Sequence, residues 1–380
     1  MTAGRPGTRR PGIRAPGGGE PATVLLVRGR AAGGLAAHVD HEARMLHDEG
    51  VTVRHSDAEI GERPRPRADT AAVRTLHRES RRPGTLVVHA HGLRAGALAA
   101  LALLARRSPR LVVTLHNRVE GGSVPQLIGT ALLRLICRRA DTVLAVSPDL
   151  ARAARRAGAR DVRDAVIPAP PHTPAPPATD PPRAPHADPA WSPDQAAGLR
   201  VLVIARLAPQ KDFDTLADAL GILRARGVAV QVAVAGEGPE RAHLEQRRDR
   251  EDLPLRLLGH RADVPELLQQ AQLVVSSARW EGQPVALQQA LRAGRAVVAT
   301  DAGGTRWVTG DAAPLVPVED AAALADAIEE MTAPDLRTAA EERSRARAAR
   351  LPGETQLRAQ LQDVLGRASA DTHGTRARRW

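Results

Sequence analysis

The chain has 380 residues, which is enough for two or three domains with a hydrophobic core in each. Its net charge is +11 at pH 7, but the arginines are spread over the whole chain, so the charge does not mark one nucleic-acid-binding face. The longest apolar run, Ala97 to Ala105, is too short to span a bilayer.

Aromatic residues and cysteine are scarce in this sequence. It contains one Phe, four Trp and no Tyr, so Leu, Val, Ile and Ala must form the cores, as they do in buried parallel strands and their covering helices. The single cysteine, Cys137, lies in the apolar run ALLRLICRRA and is predicted to be a buried free thiol. A lone cysteine makes no internal disulfide, which fits a reducing compartment, and we expect a soluble cytoplasmic protein.

The first half of the chain predicts one Rossmann-like domain. Residues 1–21 are rich in proline, glycine and arginine and are expected to be disordered. Over residues 22–167, apolar runs alternate with amphipathic stretches, which predicts a parallel, doubly wound sheet. Ser147 and Pro148 form an N-cap and first-turn signal for a helix. The predicted strands are Thr23 to Val27, Thr85 to His89, Leu111 to Thr114 and Thr142 to Val146, and the helices are Leu35 to Glu49, Asp69 to Ser80, Leu93 to Arg106 and Pro125 to Arg139.

The second half predicts another domain of the same type. Residues 168–198 are rich in proline and form a linker, and the alternation then resumes over residues 199–350. The segment 351–380 contains a last helix, which is expected to cross back onto the first domain, and a tail that is expected to be disordered beyond Arg367. The strands are Val201 to Ala205, Val230 to Ala235, Leu255 to Leu258, Leu273 to Ser276 and Ala296 to Thr300, and the helices are Thr215 to Arg226, Pro239 to Arg248, Val264 to Ala271, Pro284 to Ala293, Ala321 to Met331, Asp335 to Ala349 and Glu354 to Arg367.

The chain contains a single lysine, Lys211, among its 54 Lys and Arg residues. A predicted strand ends at Ala205, Arg206 and Lys211 follow in a loop, and a helix is expected to open near Asp214. Cations in a loop at the carboxyl end of a parallel strand are placed to bind phosphate oxygens. The alternative is a lysine without a function on a solvated loop, and this position alone leaves both interpretations open.

Three further features follow Lys211 in order. The segment AGEGPE has two glycines, Gly236 and Gly238, where a strand turns towards a helix. The segment WEGQP places Glu281 and Gly282 in a loop before the next helix. The last segment, VVATDAGGTRW, contains Gly303 and Gly304, which allow a close backbone approach to a ligand. Each feature is weak by itself, but their order and spacing are specific.

Together these segments resemble the retaining glycosyltransferases of family 4, which have the GT-B architecture. That family has Arg and Lys five positions apart, a GxGP turn, a Glu-Gly-x-Pro segment and a Gly-Gly loop. The first half of the chain agrees through Gly33 and Gly34 in GGLAAHVDHEARML, and through the segments HAHG, VVTLHN and AVSPDL. The resemblance runs from about Ala22 to Arg367, and it implies an α/β fold of two Rossmann-like, doubly wound domains that face each other across a cleft.

The resemblance also implies the reaction and its partners. A sugar would be transferred from a nucleotide-diphosphate sugar to an unknown sugar, lipid or small-molecule acceptor bound by the first domain, with retention of the anomeric configuration. Neither a cofactor nor a metal ion would be required, and the leaving phosphate rather than an Asp or Glu nucleophile would take part in front-face attack. Catalysis is assigned to His116, Arg206, Lys211 and Glu281, and donor binding to Gly33, Gly34, Gly236, Gly238, Gly282, Gln289, Gly303 and Gly304.

One departure from the family pattern concerns the ribose. The family pattern also has a second Glu eight positions after the first. That position is occupied here by Gln289, whose amide oxygen accepts a hydrogen bond without the strength of a charge. An alternative is therefore a catalytically inactive GT-B protein that binds a nucleotide or a protein partner. We expect no nucleic-acid partner, although the basic residues leave an arginine-rich nucleic-acid or membrane-surface binder, with a peripheral membrane contact, as a further alternative.

Overall fold

The computed structural model describes residues 22–29, 34–61, 63–105, 108–118, 122–169, 190–191 and 198–364. They divide into two compact units. The first unit contains the described residues up to Ile167 and those from Glu354 onward, and the second unit contains Pro168–Gly353. The predicted disordered segment 1–21, most of the predicted linker and the predicted tail lie outside the described residues.

The first unit is built on a parallel sheet. Its described strands are β1 (Thr23–Arg28), β2 (Thr52–His55), β3 (Thr85–His91), β4 (Arg110–Leu115), β5 (Thr142–Ala145) and β6 (Val162–Asp164), and its helices up to β6 are α1 (Gly34–Asp48), α2 (Pro66–Ser80), α3 (Leu93–Ala102), α4 (Ser123–Arg139) and α5 (Pro148–Arg156). The strand order is β2-β1-β3-β4-β5-β6. Sheet growth therefore changes direction between β1 and β3, and this is the position where doubly wound sheets bind ligands.

The second unit repeats this plan. Its described strands are β7 (Leu199–Ile204), β8 (Val230–Ala235), β9 (Leu255–Gly259), β10 (Leu273–Ser276), β11 (Ala296–Thr300) and β12 (Leu315–Val316), and its helices are α6 (Phe213–Ala225), α7 (Arg241–Glu251), α8 (Val264–Gln270), α9 (Val285–Arg292), α10 (Thr305–Thr309), α11 (Ala321–Glu330) and α12 (Pro334–Ala348). The order β12-β11-β10-β7-β8-β9 places the change of direction between β7 and β10. The pairings between these named strands are parallel in both sheets.

Alternate side chains of the central strands enter two different cores in the second unit. Val201 and Val203 of β7 pack with residues of α6 and α11, such as Leu220 and Ile328. Leu202, which lies between them, packs on the other face with residues of α8 and α9. Both faces are therefore covered by helices, which explains why the strands read as continuous apolar runs. The predicted α/β fold class of two doubly wound, Rossmann-like domains is confirmed.

A helix over residues 354–364, α13, belongs to the first unit. Its Gln360 side chain donates to the Asp164 carbonyl at 2.7 Å and accepts from the Val166 amide at 3.0 Å. Its Arg358 pairs with Glu49 after α1. The chain thus returns to the first sheet after it has built the second. Among the described helices, none combines the length and the apolar character that crossing a membrane requires.

Several local expectations need correction. The sequence pattern does not predict the short strands β2, β6 and β12. Strands β2 and β6 are partly exposed edge strands with polar residues, and β12 has only two residues. Helix α7 begins at Arg241 rather than at Pro239. Ser147 occupies the N-cap position of α5, but its hydroxyl makes no capping bond and no hydrogen bond with any residue in the described part of the chain. Cys137 is buried and free, as predicted.

Candidate active site

The predicted residues of the second unit follow four neighbouring strands. Gly236 follows β8, Arg206 follows β7, Glu281 follows β10 and Gly303 follows β11. These strands are adjacent in the order β11-β10-β7-β8, and parallel strands have their carboxyl ends at one edge. The four segments are therefore brought to one edge of the sheet, around the change of direction between β7 and β10.

Lys211 and Glu281 form an ion pair at this edge. The Lys211 Nζ donates to the Glu281 carboxylate Oε1. The two side chains are only 20% and 13% exposed, so their charges are screened less than those of a surface pair. An ammonium group has three N–H donors, and two remain for another acceptor. The pair joins two loops that are 70 residues apart in sequence and that follow β7 and β10. The sheet changes direction between these two strands, and we call this position the switch point.

Hydrogen bonds fix the loop that presents Lys211. The Ser277 hydroxyl donates to the Lys211 carbonyl at 2.9 Å, and the Arg279 amide donates to the Gln210 carbonyl at 2.9 Å. The Thr300 hydroxyl in turn donates to the Ala278 carbonyl at 2.6 Å. The loops after β7, β10 and β11 are therefore one hydrogen-bonded assembly, and sequence reasoning missed these residues.

Asp212, directly after Lys211, fixes the start of α6. It lies in the left-handed region with φ of 51°, and its buried carboxylate accepts from the Thr215 hydroxyl at 2.7 Å. Arg279 pairs with the same carboxylate at 3.0 Å. Helix α6 thus begins at Phe213 with Asp212 as its N-cap, slightly before the predicted position near Asp214. The positive end of the helix dipole therefore lies beside the lysine.

The glycines after β8 allow two backbones to pack closely. A Cβ on Gly236 would lie 1.8 Å from the Ala205 carbonyl oxygen, and a Cβ on Gly238 would lie 2.2 Å from the Leu207 carbonyl oxygen. The Leu207 amide donates to the Glu237 carbonyl at 3.0 Å. These glycines therefore hold the backbone on both sides of Arg206 in place. Their direct contact with a donor stays a prediction.

Gly303 and Gly304 connect the loop after β11 to Glu281. Gly303 has φ of 59°, and a Cβ there would lie 2.2 Å from the Glu281 carbonyl oxygen. The Gly304 amide donates to the same carbonyl at 2.8 Å. Gly282, the residue after Glu281, is partly exposed in the same loop. The Gly-Gly segment thus positions the backbone of the carboxylate residue.

Arg206 and Gln289 differ from Lys211 in their surroundings. The Arg206 side chain is exposed, and among the described residues none forms an ion pair with its guanidinium. Gln289 lies in α9, partly exposed, and its side chain makes no hydrogen bond with a residue that the structure describes. The neighbouring Gln288 is buried and accepts from the Ala169 amide at 3.0 Å. Gln288 is therefore structural, whereas Gln289 is accessible.

In the first unit, His116 lies in a cluster of histidines. It follows β4, and its Nε2 lies 3.2 Å from Nδ1 of His91 at the end of β3. The rings of His38 and His116 are 5.8 Å apart. Gly34 is the first residue of α1, the helix that carries His38, and Gly33 lies outside the described residues. Sequence reasoning identified His116 but assigned no role to His38 or His91.

Burial keeps these histidines neutral near pH 7. Desolvation lowers the pKa of His116 to about 3 and the pKa of His38 to about 4, because the charged imidazolium loses its hydration. Desolvation also lowers the pKa of His91 well below its usual value. A neutral imidazole offers one N–H donor and one lone pair, and this is the form in which each ring meets its neighbours.

Comparisons with known proteins agree with the fold. Residues 17–170 match the family model described as a glycosyl transferase 4-like domain, and residues 198–333 match the model described as glycosyl transferases group 1. A comparison with curated proteins found no match.

Similar solved structures include three enzymes or complexes that cover nearly the whole chain. Sucrose-phosphate synthase from Thermosynechococcus elongatus has a TM-score of 0.74 at 17% identity and covers 93% of this chain and 100% of its own. HepE from Anabaena, in complex with UDP and glucose, has a TM-score of 0.66 at 20% identity and covers 91% and 100%. A UDP-forming α,α-trehalose-phosphate synthase from Burkholderia vietnamiensis has a TM-score of 0.70 at 13% identity and covers 93% and 99%.

The identities to the solved structures are low, so this likeness concerns the fold. The two family models, in contrast, match the sequence itself, one in each half, and together they cover more than half of the chain. The chain therefore belongs to the glycosyltransferases that have the GT-B fold.

Proposed function

We propose that this glycosyltransferase uses a nucleoside-diphosphate sugar as its donor and transfers the sugar with retention of configuration. The observation that carries the proposal is the Lys211–Glu281 pair at the switch point of the second sheet. The solved structure of HepE contains UDP and glucose, and the trehalose-phosphate synthase is described as UDP-forming. A nucleoside diphosphate is therefore the leaving group that we assign to this site.

Lys211 and Arg206 stabilise the departing diphosphate in this proposal. Negative charge develops on the phosphate oxygens as the glycosidic bond breaks, and preorganised cations stabilise that charge. Lys211 has two N–H donors beyond the one that Glu281 accepts. The exposed guanidinium of Arg206 offers a planar fork to the same group. The N-terminus of α6 adds its dipole to both cations.

Glu281 orients Lys211 and binds sugar hydroxyls. Its Oε1 accepts from the lysine, which leaves the Oε2 oxygen for the donor sugar. We assign no Asp or Glu nucleophile, so retention is ascribed to front-face attack in which the leaving phosphate accepts the acceptor's proton. Gln289 accepts a ribose hydroxyl through its amide oxygen, and Gly236, Gly238, Gly282, Gly303 and Gly304 shape the surrounding backbone.

The first unit supplies the acceptor side in this proposal. We assign a role in sugar and acceptor binding to His116, and a role in donor binding to Gly33 and Gly34. The acceptor is a sugar, a lipid or a small molecule, and the basic residues leave a peripheral membrane contact open. In this proposal, sugar transfer at Lys211 requires no metal ion. We also propose a cytoplasmic location, because a chain with one cysteine suits a reducing compartment.

A donor panel tests the proposal. Thermal unfolding is measured with UDP, GDP, ADP and TDP and their sugars, and a ligand at ~100 times its dissociation constant adds about 2.7 kcal/mol of stability. Nucleoside-diphosphate release is then followed for each stabilising donor, and NMR assigns the anomeric configuration of the product. Stabilisation by one donor with release of its diphosphate supports the proposal.

The same panel tests the inactive nucleotide-binding alternative, which the replacement of the family acid by Gln289 favours. Binding without diphosphate release over a range of acceptors would support that alternative. An inverted product would contradict retention while it leaves the donor site intact. No stabilisation by any donor would contradict both the enzyme and the nucleotide-binding alternative.

A further inference from the structure

Three buried side chains of the first unit converge outside the donor chemistry assigned above. His38 and Glu42 lie one turn apart on α1, and His91 lies at the end of β3. The Glu42 Oε2 atom is 3.9 Å from His38 Nε2 and 3.6 Å from His91 Nε2. One ligand atom from each residue lies within 4.8 Å of the other two. The cluster thus brings two nitrogens and one oxygen to a common point.

His91 directs an unpartnered nitrogen to this point. Its Nδ1 lies 3.2 Å from Nε2 of His116, so one ring nitrogen already has a partner. Its Nε2 is buried and has no hydrogen-bond partner among the residues that the structure describes. Leaving a buried polar atom unsatisfied costs free energy, so a partner is expected at this position. If the Nδ1–H donates to His116, the Nε2 presents a lone pair towards the Glu42 carboxylate.

The other carboxylate oxygen of Glu42 is already held. His89 Nδ1 lies 2.6 Å from Glu42 Oε1, and His89 Nε2 lies 2.7 Å from the Thr114 hydroxyl. The Thr114 hydroxyl donates to Nε2 and the Nδ1–H donates to Glu42, which fixes the carboxylate. Glu42 is 1% exposed, so water screens its carboxylate only weakly. Its Oε2 is left to face the lone pair of His91.

We propose that His38 Nε2, Glu42 Oε2 and His91 Nε2 bind a divalent transition-metal ion, for which Zn²⁺ is the best match. Two imidazoles and one carboxylate are ligands that Zn²⁺ prefers, whereas Mg²⁺ and Ca²⁺ prefer oxygen ligands alone. A tetrahedral ion with bonds of about 2.0–2.1 Å separates its ligand atoms by about 3.3 Å. The observed distances from Glu42, 3.6 Å and 3.9 Å, and the separation of the two histidine nitrogens, which is within 4.8 Å, would each shorten to about that spacing when an ion binds.

Partners of the ligands support the same assignment. Metal-binding histidines donate their other N–H to an acceptor, and ligating carboxylates are themselves hydrogen-bonded. His116 serves His91 in this way, and His89 serves Glu42. The ion would fix the His91 ring and, through it, the orientation of His116. Only the importance of the His116 orientation for sugar transfer rests on the proposed function, because the ion binds whether or not sugar transfer occurs.

Zinc titration of the tag-free, full-length protein tests the site. Calorimetry with Zn²⁺ alone should give one ion per chain for the wild type. The substitution Glu42→Gln keeps the shape of the side chain and should weaken Zn²⁺ binding at least ~100-fold, beyond the 10–100-fold effect of removing a residue that only supports a ligand. The control is His47→Gln, which removes an exposed histidine of the same helix and should leave binding unchanged.

A spectroscopic arm keeps the proposal testable if Glu42→Gln fails to fold. Nitrogen NMR of the wild-type histidines should show that Zn²⁺ shifts Nε2 of His38 and His91, and His38→Gln should abolish the shift at His91. Absence of zinc binding by the wild type would overturn the proposal. Equal zinc binding by Glu42→Gln, loss of binding in His47→Gln, or shifts confined to other histidines would also overturn it.

Discussion

The two sheets share one topology but carry different chemistry at their carboxyl edges. In the second unit, the loops around the switch point present Arg206 and a Lys211–Glu281 pair. In the first unit, the corresponding edge carries buried imidazoles around Glu42. The second edge is therefore suited to an anion, and the first to a group that neutral nitrogens and a buried carboxylate can bind.

This difference shows that the sheet fixes where ligands bind but not which ligands bind. Continuous apolar strands and their helices place the switch point in both units. The chemistry depends on which side chains the loops, the strand ends and helix α1 bring to each edge, and these can differ while the apolar strands stay the same. Substitutions at these residues should therefore change the chemistry of one edge and leave the other edge unchanged.

Removal of the Lys211 charge should have the largest effect. Lys211→Ala is expected to lower turnover about 10²–10³-fold, the usual cost of losing one donor that stabilises transition-state charge. Steady-state release of the nucleoside diphosphate measures it. Arg224→Ala, which removes an exposed cation of the same unit, should leave turnover unchanged. Wild-type turnover in Lys211→Ala would show that the second edge does not act on the diphosphate.

Disruption of the backbone packing around Arg206 should come next. A Cβ at Gly238 would meet the Leu207 carbonyl at 2.2 Å, so Gly238→Ala should cost about 1–3 kcal/mol of unfolding free energy. The matched control is Gly221→Ala in α6, which has open space around it and should gain about 0.5–1 kcal/mol. Denaturant unfolding measures both. A neutral Gly238→Ala would mean that this loop is not tightly packed.

Exchange of the type of cation tests the geometry of the same edge. Lys211→Arg keeps the charge but replaces a compact group with a planar fork. We expect turnover to fall at least ~10-fold, which corresponds to about 1.4 kcal/mol of transition-state stabilisation. The kinetic assay used for Lys211→Ala measures this loss. If the arginine variant keeps wild-type rates, the position requires a charge and not an ammonium group.

A carboxylate at residue 289, as in the family pattern, should strengthen donor binding at the carboxyl edge of the second sheet. Gln289→Glu is expected to tighten nucleoside-diphosphate binding by up to ~1 kcal/mol, because a carboxylate accepts ribose hydroxyls more strongly than an amide. Calorimetric titration measures the change, with Gln270→Glu in α8 as a control for added charge. Unchanged or weaker affinity would show that residue 289 does not reach the ribose.

The last and smallest effect concerns Cys137, a buried residue of α4 to which we assign no part in either site. Burial raises its pKa from 9.0 to about 11, so the native thiol should react with a disulfide reagent at pH 8 far more slowly than in urea. The folded state keeps a proton that the unfolded state loses first, so this contribution to stability should fall as the pH rises from 9 to 11. Equal reaction rates in buffer and urea would show that the thiol is accessible.

Sequence reasoning predicted most long elements because their strands are continuous apolar runs, and Leu273–Ser276 and Ala296–Thr300 have the predicted bounds. It identified the residues after the strands from their order. It missed the Ser277 and Arg279 bonds, since these depend on which strands become neighbours. It missed the cluster that His38 and Glu42 form with His91 for the same reason, because α1 and β3 meet only in the folded sheet.

Diphosphate binding by Lys211 can be tested directly, because the chain has one lysine. Protein labelled with ¹⁵N-lysine gives a single side-chain ammonium signal, which belongs to Lys211 without further assignment. The signal is recorded while the donor identified by the panel, and then its nucleoside diphosphate, is added to saturation. If Lys211 binds the diphosphate, we expect a saturable shift and a scalar coupling between the ammonium nitrogen and phosphorus. An unchanged signal at saturating donor, in a sample that turns the donor over, would contradict it.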